Sequence, residues 1–282
     1  MNRVDQDRPA ERAVVWRHPR FHDLSLLRAR FRWHRYELHT HPTYVIALIT
    51  GGCERLRVGG RREVAPVNAI IMVNPEECHD GEAGCDEGWA YRTFYPTVDL
   101  MGAVARELGQ VSLPLFPRTI LSDPALADAL ALAHRTAEEG DADAAEATML
   151  LALRRLIVRH SDGGWPAIVL PRVASARRVA MYREMIEADI AGGFELERFA
   201  ELGGVTRFQV IRDFKQVTGF TPSAFVRNRR VQVAGRLIEG GETLAEAAIE
   251  AGFADQSHLT RAFKLSHGFT PGVMRRGLRV ND

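Results

Sequence analysis

Between Glu195 and Met274 the chain writes one pattern twice. LERFAELGGVTRFQVIRDFKQVTGFTPSAF starts at Leu196, and LAEAAIEAGFADQSHLTRAFKLSHGFTPGVM starts at Leu244. Leu196, Ala200 and Gly204 return 48 residues later as Leu244, Ala248 and Gly252. A one-residue insertion then makes the offset 49. Phe214-Lys215 therefore returns as Phe263-Lys264, and Gly219-Phe220-Thr221-Pro222 as Gly268-Phe269-Thr270-Pro271. Two copies are too few for a solenoid, whose stacked units need neighbours on both sides. The segment reads instead as two related small helical modules in tandem.

Each copy spells helix, tight turn, helix. Leu196, Phe199 and Ala200 lie at i, i+3, i+4, one face of a helix. Gly203-Gly204 ends that helix, because glycine accepts the left-handed backbone of a helix C-cap. Thr206 with Gln209 has capping-box spacing and starts the next helix. There Val210, Phe214 and Val217 form a core stripe and leave Phe208, Ile211, Arg212 and Lys215 on other faces. In the second copy Thr243 and Glu246 form the capping box, Gly252 makes the turn and Asp255 is the N-cap. Its following helix buries Leu259, Ala262 and Phe263 and displays Gln256, Ser257, His258 and Arg261. Such a pair fits a DNA-binding helix-turn-helix, whose second helix enters the major groove. A single copy fits a plain packed hairpin about as well; the duplication, with exposed polar faces at matched places, favours DNA.

On these residues the segment from 195 to 276, and GFADQSHLTRAFKLSHGFTP (Gly252 to Pro271) above all, resembles the DNA-binding domain of the AraC/XylS family of bacterial transcription regulators. The resemblance implies two recognition helices in successive major grooves of double-stranded DNA. It implies base-reading roles for Phe208, Ile211 and Arg212 in the first module, and for Gln256, Ser257, His258 and Arg261 in the second. Their chemistry agrees: Arg suits guanine, Gln suits adenine, and apolar atoms suit the thymine methyl. Ile211 stands where a polar residue is more usual.

The 282 residues, 46% of them hydrophobic, accommodate about two domains. The net charge of +1 is unevenly placed. Residues 171–282 hold 17 Lys and Arg against 13 Asp and Glu, and the rest is acidic, so the basic half is the one expected to meet phosphate. No apolar run approaches the roughly 18 residues of a membrane span. The charged first residues show no secretory signal. Cys53, Cys78 and Cys85, an odd set without zinc-pair spacing, read as reduced thiols, which places the chain in the cytoplasm.

The N-terminal half has β texture. TYVIALITGG, CERLRV, RREVAP, AIIMVNP and GWAYRTFYP read as short strands, with Gly59-Gly60 as a hairpin turn. His39 and His41, two apart, share one side of a strand, and His79 follows a later strand. This pattern resembles the cupin barrel, where such histidines with a carboxylate can hold a metal. The carboxylate expected shortly after His41 is missing. The three histidines are therefore read as hydrogen-bonding groups at a pocket rim, with no metal or cofactor; metal ligation by His39, His41 and His79, in an enzyme or a metal-assisted sensor, is the alternative. The run from His39 to Ala83 also resembles the effector-sensing domain of the same regulator family. That implies a barrel around a small molecule, with Trp33, His39, His41, Tyr44, His79 and Arg92 as its walls.

Asp123-Pro124 opens a helical hairpin over about 124–138 and 142–160, split at Gly140-Asp141. In the resembled family such helices make a homodimer surface. The expected architecture is α+β. Residues 1–14 are a flexible tail, 15–120 a cupin-like effector-binding barrel and 121–162 the hairpin. Residues 163–172 are a linker, and 173–279 an all-α DNA-binding domain with two helix-turn-helix modules. Between the modules a helix capped by Thr221-Pro222 carries Arg227, Arg229 and Arg230 as candidates for phosphate contact. The function expected is effector-controlled transcription regulation, not catalysis, with RNA polymerase as a further partner.

Overall fold

The computed structural model describes residues 11–162, 173–192 and 195–278. The N-terminal half is a nine-stranded sheet folded back on itself. Its strands are β1 (Arg12–Arg17), β2 (Ser25–Phe31), β3 (Arg35–His39), β4 (Val45–Val58), β5 (Arg61–Pro66), β6 (Ile70–Val73), β7 (His79–Ala83), β8 (Trp89–Tyr95) and β9 (Ile120–Leu121). Helices α1 (Val98–Glu107), α2 (Pro124–Glu139) and α3 (Ala142–His160) cover its outer face.

The long strand β4 closes the barrel. Its first part pairs with β6 and β8, and its last part, Cys53 to Val58, pairs with β5 and β7. The change of sheet falls at Gly51-Gly52, where the register with β8 shifts. A side chain at Gly52 is excluded, because its Cβ would sit 1.9 Å from the Gly88 carbonyl oxygen. Gly59 and Gly60 both take the left-handed backbone that a two-residue hairpin requires between β4 and β5.

The two faces of this sheet feed two cores. Leu26, Tyr44, Ile46, Ile70, Met72 and Phe94 pack outward against α1–α3. The hairpin helices begin and end as their sequence dictates. Asp123 accepts from the Leu126 amide and Pro124 fills the first turn, while Gly140 closes α2 in the left-handed conformation. Helix α1 was not anticipated; Thr97 caps it, accepting from the Leu100 amide. The expected tail ends sooner than position 14, since Arg12, Ala13 and Val14 already pair with β2. Residues 1–10 of that tail, and the whole expected linker 163–172, lie outside the described residues.

The C-terminal half is helical: α4 (Val173–Ala188), α5 (Leu196–Gly203), α6 (Arg207–Thr218), α7 (Pro222–Glu239), α8 (Leu244–Glu250), α9 (Gln256–His267) and α10 (Pro271–Leu278). The caps follow the sequence reading: Thr206, Thr221, Thr243 and Asp255 each accept from the amide three residues on. Thr243 and Glu246 complete a reciprocal capping box. The first module has its own core, built from Val179, Tyr182 and Ile186 of α4 with Phe199, Val210, Phe214 and Phe225. The Tyr182 ring stacks on Phe199 at 4.8 Å and on Phe214 at 5.9 Å. The second module shares its core with the barrel. Phe253, Leu259, Phe263 and Phe269 join Phe31, Tyr36, Trp89 and Tyr91 in one continuous cluster. Two modules alike in sequence are thus held differently.

Candidate DNA-reading face and effector cavity

Helices α6 and α9 carry the residues expected to read bases. Phe208 is 76% exposed, an extreme value for a phenyl ring, and Arg212, Gln256, Ser257, His258 and Arg261 are exposed beside it. Ile211 is half-buried. The cause is the helical period. Val210 and Phe214 in α6, and Leu259, Ala262 and Phe263 in α9, take the core side, which turns these seven residues away from it. Among the described residues no hydrogen bond or ion pair holds the side chains of Gln256, Ser257 or Arg261, and Arg212 reaches only Gln209 Oε1 at 3.4 Å.

The arginines of α7 are engaged elsewhere. Arg227 pairs with Glu37 at 2.9 Å. Arg229 pairs with Glu187 at 2.8 Å and faces Glu76 at 3.7 Å. Arg230 donates to the carbonyl oxygens of Ile190 and Gly192. Arg227 and Arg229 thus link α7 to the barrel, and Arg230 holds the segment after α4.

Inside the barrel the three histidines converge. His39 lies opposite His79 in the β3–β7 ladder, and an irregularity in β3 between Tyr36 and His39 brings both of those side chains inward. The rings of His39 and His79 stand 4.3 Å apart, with His41 at 4.8 Å from His39 and 5.3 Å from His79. His39 Nδ1 is 2.7 Å from the Glu37 carbonyl oxygen and His79 Nδ1 is 2.9 Å from that of Glu77. A carbonyl only accepts, so both Nδ1 atoms carry the proton and both Nε2 atoms present lone pairs. Burial, and then neighbouring histidines, hold the His39 and His41 pKa values well below the usual imidazole range; burial lowers that of His79.

These histidines border a cavity of about 50 Å³, walled also by Tyr36, Glu54, Asp80, Tyr91 and Tyr95 and closed by Ser266 of α9. Burial, followed by Asp80, pushes the Glu54 carboxyl up to about 8. The hydroxyls of Tyr36 and Tyr91 bond each other, and burial raises both well above the usual phenol range. His267, at the end of α9, sets its ring 5.6 Å from that of His41, and burial lowers its pKa to about 4.

Three of the expected wall residues stand apart from this cavity. Trp33 is 57% exposed, with the Arg32 guanidinium over its ring. Tyr44 is buried in the outer core and donates to the Pro114 carbonyl at 2.8 Å. Arg92 faces α2, where it bonds His134 and Glu138. The even spacing of β8 carried the missing signal: Tyr91, Thr93 and Tyr95 alternate with Arg92 and face the cavity. Glu54 lay at mid-strand in CERLRV, where a carboxylate on the inner face goes unnoticed without the register. Ser266 and His267 belong to the second repeat, and nothing in its pattern announces barrel contact.

Polar contacts lock the two halves together. Asn228 exchanges two hydrogen bonds with Thr40, and Gln232 Nε2 donates to the Thr40 carbonyl and hydroxyl, each at 3.0 Å. All three residues are buried. The cavity thus borders α9, the helix that carries the second candidate base-reading face.

A ligand-binding barrel fastened to paired helix-turn-helix modules defines a class, the ligand-responsive DNA-binding regulators. Residues 21–153 match the family model of the AraC-like ligand binding domain, and residues 199–277 match that of a helix-turn-helix domain. Over 227 residues, 80% of this chain and 82% of the relative, the sequence is 29% identical to the uncharacterized HTH-type transcriptional regulator YbfI of Bacillus subtilis. It is 35% identical over 112 residues to the HTH-type transcriptional regulator RipA of Corynebacterium glutamicum, covering 40% of this chain and 33% of RipA. The fold is similar to that of ToxT from Vibrio cholerae: TM-score 0.55 at 11% identity, over 96% of this chain and 98% of that one. The chain's two matched domains, an AraC-like ligand-binding domain followed by a helix-turn-helix domain, are those of AraC-type transcription regulators. It is a sequence-specific DNA-binding regulator controlled through its N-terminal ligand-binding domain. Among the described residues no helix is long and apolar enough to cross a membrane.

Proposed function

We propose that this regulator reads double-stranded DNA with Phe208, Ile211 and Arg212 of α6 and Gln256, Ser257, His258 and Arg261 of α9, and that a ligand in the barrel controls how α9 is presented. The observation that carries this reading is the double duty of α9. Its N-terminal turns expose the candidate base-reading side chains, while at its C-terminal end Ser266 lines the histidine cavity and His267 sets its ring 5.6 Å from that of His41. A cavity of about 50 Å³ is far below the several hundred Å³ of most organic ligand sites. Because Ser266 of α9 is part of the cavity wall, a ligand that touches it binds the docked and undocked states of α9 differently. Differential affinity of that kind is what shifts a conformational equilibrium. ToxT has been solved with an unsaturated fatty acid bound; in this chain the cavity sets the three histidines and Glu54 among apolar Val45, Leu56, Ile71 and Val73.

The same reading takes the protein as a cytoplasmic homodimer that works beside RNA polymerase and catalyses no reaction. Support for the dimer comes from α3, where Leu151 and Val158 stand 66% and 63% exposed two turns apart, with Leu132 of α2 exposed as well. Leu151→Glu should therefore convert a sedimenting dimer to monomer; a wild-type chain that sediments as a monomer at all concentrations refutes the assignment. DNA binding itself is checked by titrating labelled DNA from upstream of its own gene at several salt concentrations. Affinity should fall steeply as salt rises, because each phosphate contact releases counterions. Binding that is weak and indifferent to sequence would count against the reading.

A further inference from the structure

We propose that the ligand of the barrel is a divalent transition-metal ion, held by the Nε2 atoms of His39, His41 and His79. This rests on the barrel being the regulatory ligand site and names the class of ligand it takes.

Geometry comes first. One donor atom from each of the three histidines lies within 4.8 Å of the others, and His39 Nε2 and His41 Nε2 stand 3.1 Å apart. A tetrahedral ion with bonds of about 2.0–2.1 Å spaces its nitrogen ligands by little more than that. The tautomers come second. His39 and His79 each spend the Nδ1 proton on the carbonyl two residues back, which leaves Nε2 as a lone-pair donor on the cavity side. A backbone carbonyl behind the ring is the usual support of a metal-ligating histidine, because it fixes ring orientation and raises ligand basicity. The two bonds are the same device repeated on strands β3 and β7, and the ladder sets those strands directly opposite each other.

Size decides between an ion and an organic molecule. The cavity of about 50 Å³ admits an ion with one or two waters as it stands. Three neutral imidazoles select zinc, copper, nickel, cobalt or ferrous iron over magnesium or calcium, which prefer all-oxygen shells. The buried Glu54 carboxyl lines the same cavity. Cys78 is not part of the set: its Sγ packs at the first module, 3.1 Å from where a Cβ on Gly219 would stand. His267 connects the site to DNA. Its ring lies edge to face with His41, so a charge arriving at His41 is felt at the end of α9.

The test uses the full chain, stripped with chelator and titrated with Co²⁺ followed by visible absorption, then with Zn²⁺ and Mg²⁺ as competitors. One Co²⁺ per chain is expected, displaced stoichiometrically by Zn²⁺ and untouched by Mg²⁺. His79→Gln should weaken binding at least about 10-fold. His41→Gln makes the same prediction at a ring that is half-buried and bonded to no backbone atom, so it keeps the test valid if the first variant does not fold. DNA affinity of the wild-type chain should differ several-fold with and without Zn²⁺, and His267→Ala should keep the stoichiometry and lose that difference. The proposal is overturned by sub-stoichiometric binding, by equal binding in the histidine variants, or by bound Zn²⁺ that leaves DNA affinity unchanged. Intact sequence-specific DNA binding in any of those cases leaves the regulator itself standing and removes only the metal.

Discussion

Arg261→Ala should lower affinity for the operator by about 1–3 kcal/mol and relax base preference at one position only. Arg261 is exposed on α9 and held by no partner among the described residues, so its removal leaves no buried group unsatisfied. The whole effect then falls on the complex. Arg212→Ala in α6 should cost the same again, and the pair should nearly add, because the two side chains sit on separate modules. The double variant thus loses about 2–6 kcal/mol, a large share of the roughly 4–10 kcal/mol that separates specific from non-specific binding. Arg229→Ala is the contrast. That side chain is only 15% exposed and paired with Glu187, so its loss should lower thermal stability without changing which bases are preferred. The check is anisotropy titration on the operator and on singly substituted duplexes. Unchanged base preference in both Arg212→Ala and Arg261→Ala would show that DNA is read by another face.

Gly268→Ala should separate the second module from the barrel, whereas Gly204→Ala should not. Both glycines hold left-handed backbone, at φ +77 and +60, so alanine costs roughly 1–2 kcal/mol at either place. Only at position 268 does the new Cβ meet the barrel. It would stand 2.4 Å from the Tyr36 hydroxyl and 2.7 Å from the Phe31 ring, while nothing lies within 4 Å of one at position 204. Tyr36 is buried and tied to Tyr91, so it has little freedom to move aside. The expected result for Gly268→Ala is faster amide exchange in β3 and α9 together, with loss of any effect of a barrel ligand on DNA binding. Gly204→Ala should show a modest fall in thermal stability and keep that coupling. Equal exchange rates in the two variants would mean that the docking of α9 has no energetic weight.

What the sequence revealed divides along physical lines. Local chemistry was legible. Thr206, Thr221, Thr243 and Asp255 cap the helices that their spacing announces, and Gly59-Gly60 turns the hairpin. The repeat also pointed to the exposed faces of α6 and α9, because the core stripe of one helix leaves only one side free. Long-range register was not legible. His39, His41 and His79 could be suspected of meeting, but Tyr36, Glu54, Tyr91 and Tyr95 join them only once β4 switches sheets at Gly51-Gly52. Arg92 and Tyr44 were misplaced for that reason: a one-residue change of face moves a strand residue from cavity to outer core. Nor could the repeat disclose its own asymmetry. The two GFTP segments are identical, yet Gly219 lies against Cys78 of the barrel and Gly268 against Tyr36 and Phe31. The second module is the one bound into the barrel core.

The most direct test of the whole account is a hydroxyl-radical footprint of the full chain on DNA upstream of its own gene, with Arg212→Ala and Arg261→Ala run alongside. The account predicts two protected patches per chain on one side of the duplex, about one helical turn apart. Arg212→Ala should weaken one patch first and Arg261→Ala the other. A single patch, or two patches that fade equally in both variants, would contradict the assignment of one recognition helix to each groove.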